Sequence, residues 1–104
     1  MQLVVVTPIY EDSEAASQLF VELRKALGPE VRIVAVDDGS VKGPVDPRII
    51  SAAGLRGEVL RLRRNVGHQR AIAIGLCHVA VVAPSAHCVV MDSDGEDLPE
   101  TISQ

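Results

Sequence analysis

The chain predicts an α/β fold, a three-layer α/β/α arrangement around a mainly parallel twisted sheet. Three observations carry this. Continuous β-branched runs alternate with segments of helical periodicity in the order β-α-β-α-β-α-β, which implies parallel strands joined by right-handed crossovers. The first strand-like run, residues 3–7, is continuously apolar, as expected of a strand covered on both faces. Every cluster of polar turn residues falls immediately after such a run, on what would be one rim of the sheet.

Residues 3–7 form the first run, which Pro8 is expected to end. Ser13 is placed to cap a helix whose apolar positions Ala15, Ala16, Leu19, Phe20, Leu23, Ala26 and Leu27 recur at helical spacing. Arg24 and Lys25 suit its last turn, and Gly28-Pro29 its stop. Residues 31–36 are the second strand, closing on Asp37-Asp38-Gly39-Ser40, a turn expected at the mouth of the sheet rather than in its core. Asp46-Pro47 opens a short helix through Ile49, Ile50 and Ala53, stopped by Gly54. Residues 59–63 alternate, with Leu60 and Leu62 on one face and Arg61 and Arg63 on the other, which predicts a strand near a sheet edge. After Arg64-Asn65-Val66-Gly67 a helix is expected over residues 68–82, apolar nearly all round and therefore buried, with Ala71 and Gly75 giving a smooth surface for packing on the sheet. Pro84 ends it, and residues 86–91 form the fourth strand.

Bulk composition narrows the function. One domain fits 104 residues, and 47% hydrophobic content argues for a packed core. A net charge of −4 and only Tyr10 and Phe20 as aromatics argue against nucleic acid. The start of the chain has no basic leader, and residues 71–84 are too short an apolar stretch to span a membrane, so a cytoplasmic location is expected with no transmembrane segment in this chain. Cys77 and Cys88 are expected to be buried, inert thiols. With His78 and His87 beside them they match no zinc spacing.

The acidic string Asp92-Ser93-Asp94-Gly95-Glu96-Asp97 follows the fourth strand, and carboxylates two residues apart suit a hard divalent cation, Mg²⁺ or Mn²⁺, that leaves coordination positions for phosphate oxygens. A calcium loop of the EF-hand type is excluded by register, because its sixth and twelfth positions would be Asp97 and Ser103. The Arg64-Asn65-Val66-Gly67-His68 turn opens a helix, whose free N–H groups suit a diphosphate, with Arg64 or Arg70 adding charge.

The four rim motifs, Pro8-Ile9-Tyr10-Glu11-Asp12, Asp37-Asp38-Gly39-Ser40, Asn65-Val66-Gly67 and Asp92-Ser93-Asp94, together resemble the nucleotide-sugar half of a family-2 glycosyltransferase of the GT-A fold, and most of all its polyprenyl-phosphate sugar synthase branch. The resemblance spans residues 3–102 and implies an inverting transferase, acting in pathways such as cell-envelope polysaccharide synthesis. A nucleoside diphosphate sugar is then the donor and a polyprenyl phosphate or glycan the acceptor. It implies substrate contacts from Pro8, Tyr10, Asp12, Asp38, Asn65, Gly67, Arg70 and Asp92, with Asp38 reading the nucleobase or ribose. It makes Asp94 and Glu96 the metal ligands, with Asp92 on the ribose or on a water of the metal. The chain departs from the family strings at Glu11, where Asn is usual, and at Asp12, where Glu is usual, so Asp12 is alternatively a helix cap. Residues 1–104 are then the N-terminal, donor-binding part of the domain, with the base and acceptor pocket beyond them, so that this piece binds without turning over. Its fourth strand would leave an open edge for self-association. A non-catalytic nucleotide-binding or interaction module on the same fold is the rival reading. A nucleotidyltransferase is disfavoured because no Gly-rich basic loop follows the first strand.

Overall fold

A computed structural model describes residues 2–92. Four strands and three helices follow one another as β1 (Leu3–Ile9), α1 (Ser13–Leu27), β2 (Arg32–Asp37), α2 (Arg48–Ala52), β3 (Arg56–Arg61), α3 (His68–Val82) and β4 (His87–Val90). All pairings are parallel, in the order β3-β2-β1-β4. The chain therefore steps outward from β1 to β3 and then crosses back to the far side of β1. Right-handed crossovers taken in opposite directions place helices on opposite faces. The two cores agree. Val5, Ile9, Ile33 and Ala35 pack with Ala16, Leu19, Phe20 and Leu23 of α1 and with Ile50 of α2. The alternate residues Val4, Val6, Val34 and Val36 pack with Ala71 and Val79 of α3. This is the α/β three-layer sheet expected.

Several local expectations are corrected. Pro8 does not end β1, which continues to Ile9. In a parallel ladder alternate residues address opposite neighbours, and Val6, whose carbonyl accepts from Met91 N, faces β4. Pro8 faces the same way but lies beyond Val6↔Val90, the last β4 pair, so its missing N–H removes no bond of that ladder. Asp12, not Ser13, caps α1, its carboxylate accepting from Ala15 N at 3.2 Å. β3 begins at Arg56, three residues earlier than the alternation indicated, because the ladder with β2 starts at Arg32↔Arg56. It is an edge strand, as expected.

The expectation of a buried α3 is also overturned. Ala71, Gly75 and Val79 form a single buried stripe, while Ile74, Leu76, Val81 and Val82 face outward. Cys77 and Cys88 are exposed, on that outer face and on the outer strand β4, rather than buried. At the amino ends of β2 and β3, Arg32 Nη2 stands 2.7 Å and His78 Nε2 3.0 Å from the two oxygens of Glu58. Burial pushes the Glu58 carboxyl up, but its contacts with His78 and then Arg32 outweigh that and leave it below the usual glutamate range.

Candidate functional site

The strand order reverses between β1 and β4, and in open α/β sheets the crevice outside the carboxyl ends at such a point is where ligands bind. A cleft of about 230 Å³ opens there, lined by Pro8, Ile9, Tyr10, Asp38, Asn65, Gly67 and His68. Three rim motifs meet in it: the end of β1, the turn after β2 and the start of α3.

The Asp37–Asp38 pair is not an exposed mouth feature, since both residues are buried. Burying two carboxylates is tolerated only if donors surround them. Asp37 accepts from Ser40 N at 3.0 Å and Val45 N at 2.9 Å, and Arg61 Nε lies 3.8 Å away. Its role is to fold the loop after β2. Asp38 reaches the other way. Its Oδ1 accepts from Val66 N at 2.8 Å, and its Oδ2 from Gly67 N at 3.2 Å and Asn65 Nδ2 at 3.0 Å. Asn65 Nδ2 also donates to the Asp38 carbonyl. A carboxylate offers about four acceptor positions, so three are committed to the turn that starts α3 and one remains on Oδ1. Gly39 makes this closeness possible: its φ is 77°, and a Cβ there would stand 2.3 Å from the Arg64 carbonyl carbon and 2.4 Å from Asn65 N.

Gly67 is the N-cap of α3, and no acidic residue sits in that helix's first turn. By helix geometry the N–H groups of His68, Gln69 and Arg70 have no intrahelical acceptor, and the positive end of the helix is directed at the cleft side of the rim. His68 Nε2 is 2.6 Å from Asp92 Oδ1, which brings the carboxyl end of β4 against the start of α3.

Of the residues singled out in the sequence, the structure gathers Pro8, Tyr10, Asp38, Asn65 and Gly67 in one lining, with Asp92 at its edge through His68. Asp12 is engaged as the α1 cap, the alternative the sequence had left open. Arg70 is exposed on α3 and is not part of the lining. Asp94 and Glu96 lie outside the described residues, and among those described no three His, Cys, Asp or Glu side chains converge as a metal site. The donor set the sequence offers after β4, Asp92 with Asp94 and Glu96, is all carboxylate and suits a hard cation. Asp92, its one described member, stands on the rim with its side chain 27% exposed, which fits that use.

Sequence reasoning missed Glu11. Its Oε2 accepts from Val41 N at 2.8 Å and Lys42 N at 3.2 Å, its Oε1 accepts from Gly43 N at 2.9 Å, and its own N–H donates to Ser40 Oγ at 2.8 Å. Those N–H groups, from Val41, then Gly43 and Lys42, hold its carboxyl below the usual glutamate range. The one signal in the sequence was its departure from the family string.

A four-stranded parallel sheet with helices on both faces and a cleft at its switch point defines an open, doubly wound α/β protein. The S. aureus TarS crystal structure superposes with a TM-score of 0.68 at 24% identity, covering 90% of this chain and 17% of that one. The structure of TarS 1-349 gives 0.71 at 24% identity, covering 99% and 30%. A Mycobacterium tuberculosis (strain CDC 1551 / Oshkosh) protein provisionally named a glycosyltransferase is 32% identical over 107 residues, 95% of this chain and 29% of its own length. The model of the family described as Glycosyl transferase family 2 matches residues 4–104, and the chain belongs to that family. The chain spans less than a third of these relatives, and among its described residues no helix is long and apolar enough to cross a membrane.

Proposed function

We propose that the chain is the donor-binding part of an inverting glycosyltransferase, with a nucleoside diphosphate sugar held in the cleft between the end of β1 and the start of α3. The observation that carries this reading is the Asp38 turn, in which one buried carboxylate fastens the β2 end to the α3 N-terminus and so builds the cleft wall from both. Tyr10, 54% exposed beside it, offers a ring face to the base, and the remaining acceptor position on Asp38 Oδ1 suits an imide N–H or ribose hydroxyl. The first N–H groups of α3 suit the diphosphate.

Asp92, Asp94 and Glu96 would hold Mg²⁺ or Mn²⁺, with Asp92 shared between the metal's surroundings and the ribose. When bound, such a cation offsets charge on the departing nucleoside diphosphate. The acceptor, a polyprenyl phosphate or glycan, supplies the oxygen that attacks the anomeric carbon. Its pocket and the base belong to the part of the domain after residue 104, with the parent enzyme working at a cytoplasmic face. Calorimetric titration with UDP and GDP, each with and without Mn²⁺, tests the reading. Metal-dependent binding of one nucleotide, lost in Asp94→Ala, is expected. A folded sample that binds neither would overturn it in favour of a non-catalytic module.

A further inference from the structure

We propose that Glu11 is a positioning residue: its carboxylate ties the loop of residues 41–43 to the end of β1 and thereby fixes where Tyr10 stands at the cleft mouth. Two features of the geometry carry this. Glu11 is held at both ends by the same stretch of chain, its N–H by Ser40 Oγ and its carboxylate by three successive backbone N–H groups. It is also the one non-glycine residue among those described with a positive φ, 52°, a conformation that an L side chain keeps only when its surroundings hold it there.

The consequence runs through the covalent chain. Tyr10 precedes Glu11 directly and makes no hydrogen bond among the described residues that would fix its ring, which is exposed. The backbone angle at Glu11 sets how the chain leaves β1, and the loop that sets that angle is itself folded by Asp37 through Ser40 N and Val45 N. The end of β1, the β2 turn and the 41–43 loop therefore form one unit with Glu11 as its tie. An Asp at this place is one methylene shorter, and a Gln has one acceptor oxygen in place of two, so neither reproduces the three-donor contact.

The effect on ligand affinity rests on the donor-site reading, whereas the tie itself does not. The test uses the whole chain and three readouts on Glu11→Ala and Glu11→Gln, with Glu14→Gln, an exposed first-turn acid of α1, as control. Amide hydrogen exchange at Val41, Lys42 and Gly43 should accelerate about tenfold in Glu11→Ala, the effect of losing charge-assisted bonds. Fluorescence anisotropy of Tyr10, the single tyrosine in a chain without tryptophan, should fall as the backbone that carries the ring loosens. Affinity for UDP or GDP with Mn²⁺ should weaken about tenfold in Glu11→Ala, with Glu11→Gln intermediate in all three readouts because it keeps one acceptor. Unchanged exchange, or unchanged Tyr10 anisotropy in spite of faster exchange, would overturn the proposal. If the unaltered protein binds neither nucleotide the donor reading fails, while exchange and anisotropy still decide the role of Glu11. Should Glu11→Ala not fold, Glu11→Gln, which keeps the side chain's shape, decides it.

Discussion

At the residue scale the chain places its carboxylates where backbone donors converge. Asp38 is 3% exposed and receives three donors from residues 65–67, so its removal strands groups that water cannot fully reach. Asp38→Ala is expected to destabilise the fold by about 3 kcal/mol, read by urea denaturation, since an orphaned buried donor costs about 1 to 3 kcal/mol. A loss indistinguishable from zero would mean that the turn holds without it. Glu11 gives a pH dependence whose sign follows from the direction of its shift. Its carboxyl is lowered in the folded chain, so the stability it contributes is fully present above the usual glutamate range and is lost as pH falls through the lowered folded value. Melting temperature followed from neutral to acid pH should therefore decline more for the unaltered protein than for Glu11→Gln in that window, and parallel curves would remove Glu11 from the account.

At the element scale α3 decides how the second face of the sheet is closed. A Cβ at Gly75 would stand 2.6 Å from Val6 Cγ1 and 2.9 Å from Val36 Cγ2, on β1 and β2 respectively. Gly75→Ala should thus cost about 1 to 3 kcal/mol in thermal or urea unfolding despite the higher helix propensity of alanine, because the helix must lift or the two valines must move. A stabilised variant would show that α3 rides higher than described. The limits of α3 were legible in the sequence at both ends, because Gly67 and Pro84 bracket an uninterrupted helical pattern. Its one-sided burial was not, since apolar residues all round a helix say that it is apolar without saying which neighbours exist. β3 shows the converse. Arg56, Gly57 and Glu58 carry no apolar signal, yet they pair with β2 because strand hydrogen bonding is a backbone property and an edge strand tolerates polar side chains. Three of the four rim motifs were legible as neighbours at one cleft, the fourth lying beyond Asp92 outside the described residues, but the sequence read Asp38 as a ligand group. That its carboxylate first serves the Asn65-Val66-Gly67 turn depends on a contact 27 to 29 residues away in the chain, which no local pattern encodes.

At the scale of the whole molecule one face and one edge are left apolar among the described residues. Val81 is 81% exposed and Val82, Leu76 and Ile74 accompany it on α3, while Val90 and Cys88 lie on the outer strand β4. An open parallel edge beside an apolar helix face is a pairing surface. Light scattering should give a mass that rises above 11.1 kDa with concentration, and a constant mass would show that this surface is not sticky. The central claim concerns the rim at the β1/β4 switch point. It is tested most directly by adding UDP or GDP with Mn²⁺ to ¹⁵N-labelled protein and following the backbone amide resonances. The account predicts that Tyr10, Asp38, Val66, Gly67 and His68 shift together and saturate at one ligand per chain. Shifts confined to Gln2, Arg56 and Gly57, which line a cleft of about 370 Å³ at the amino ends of the strands, would contradict it.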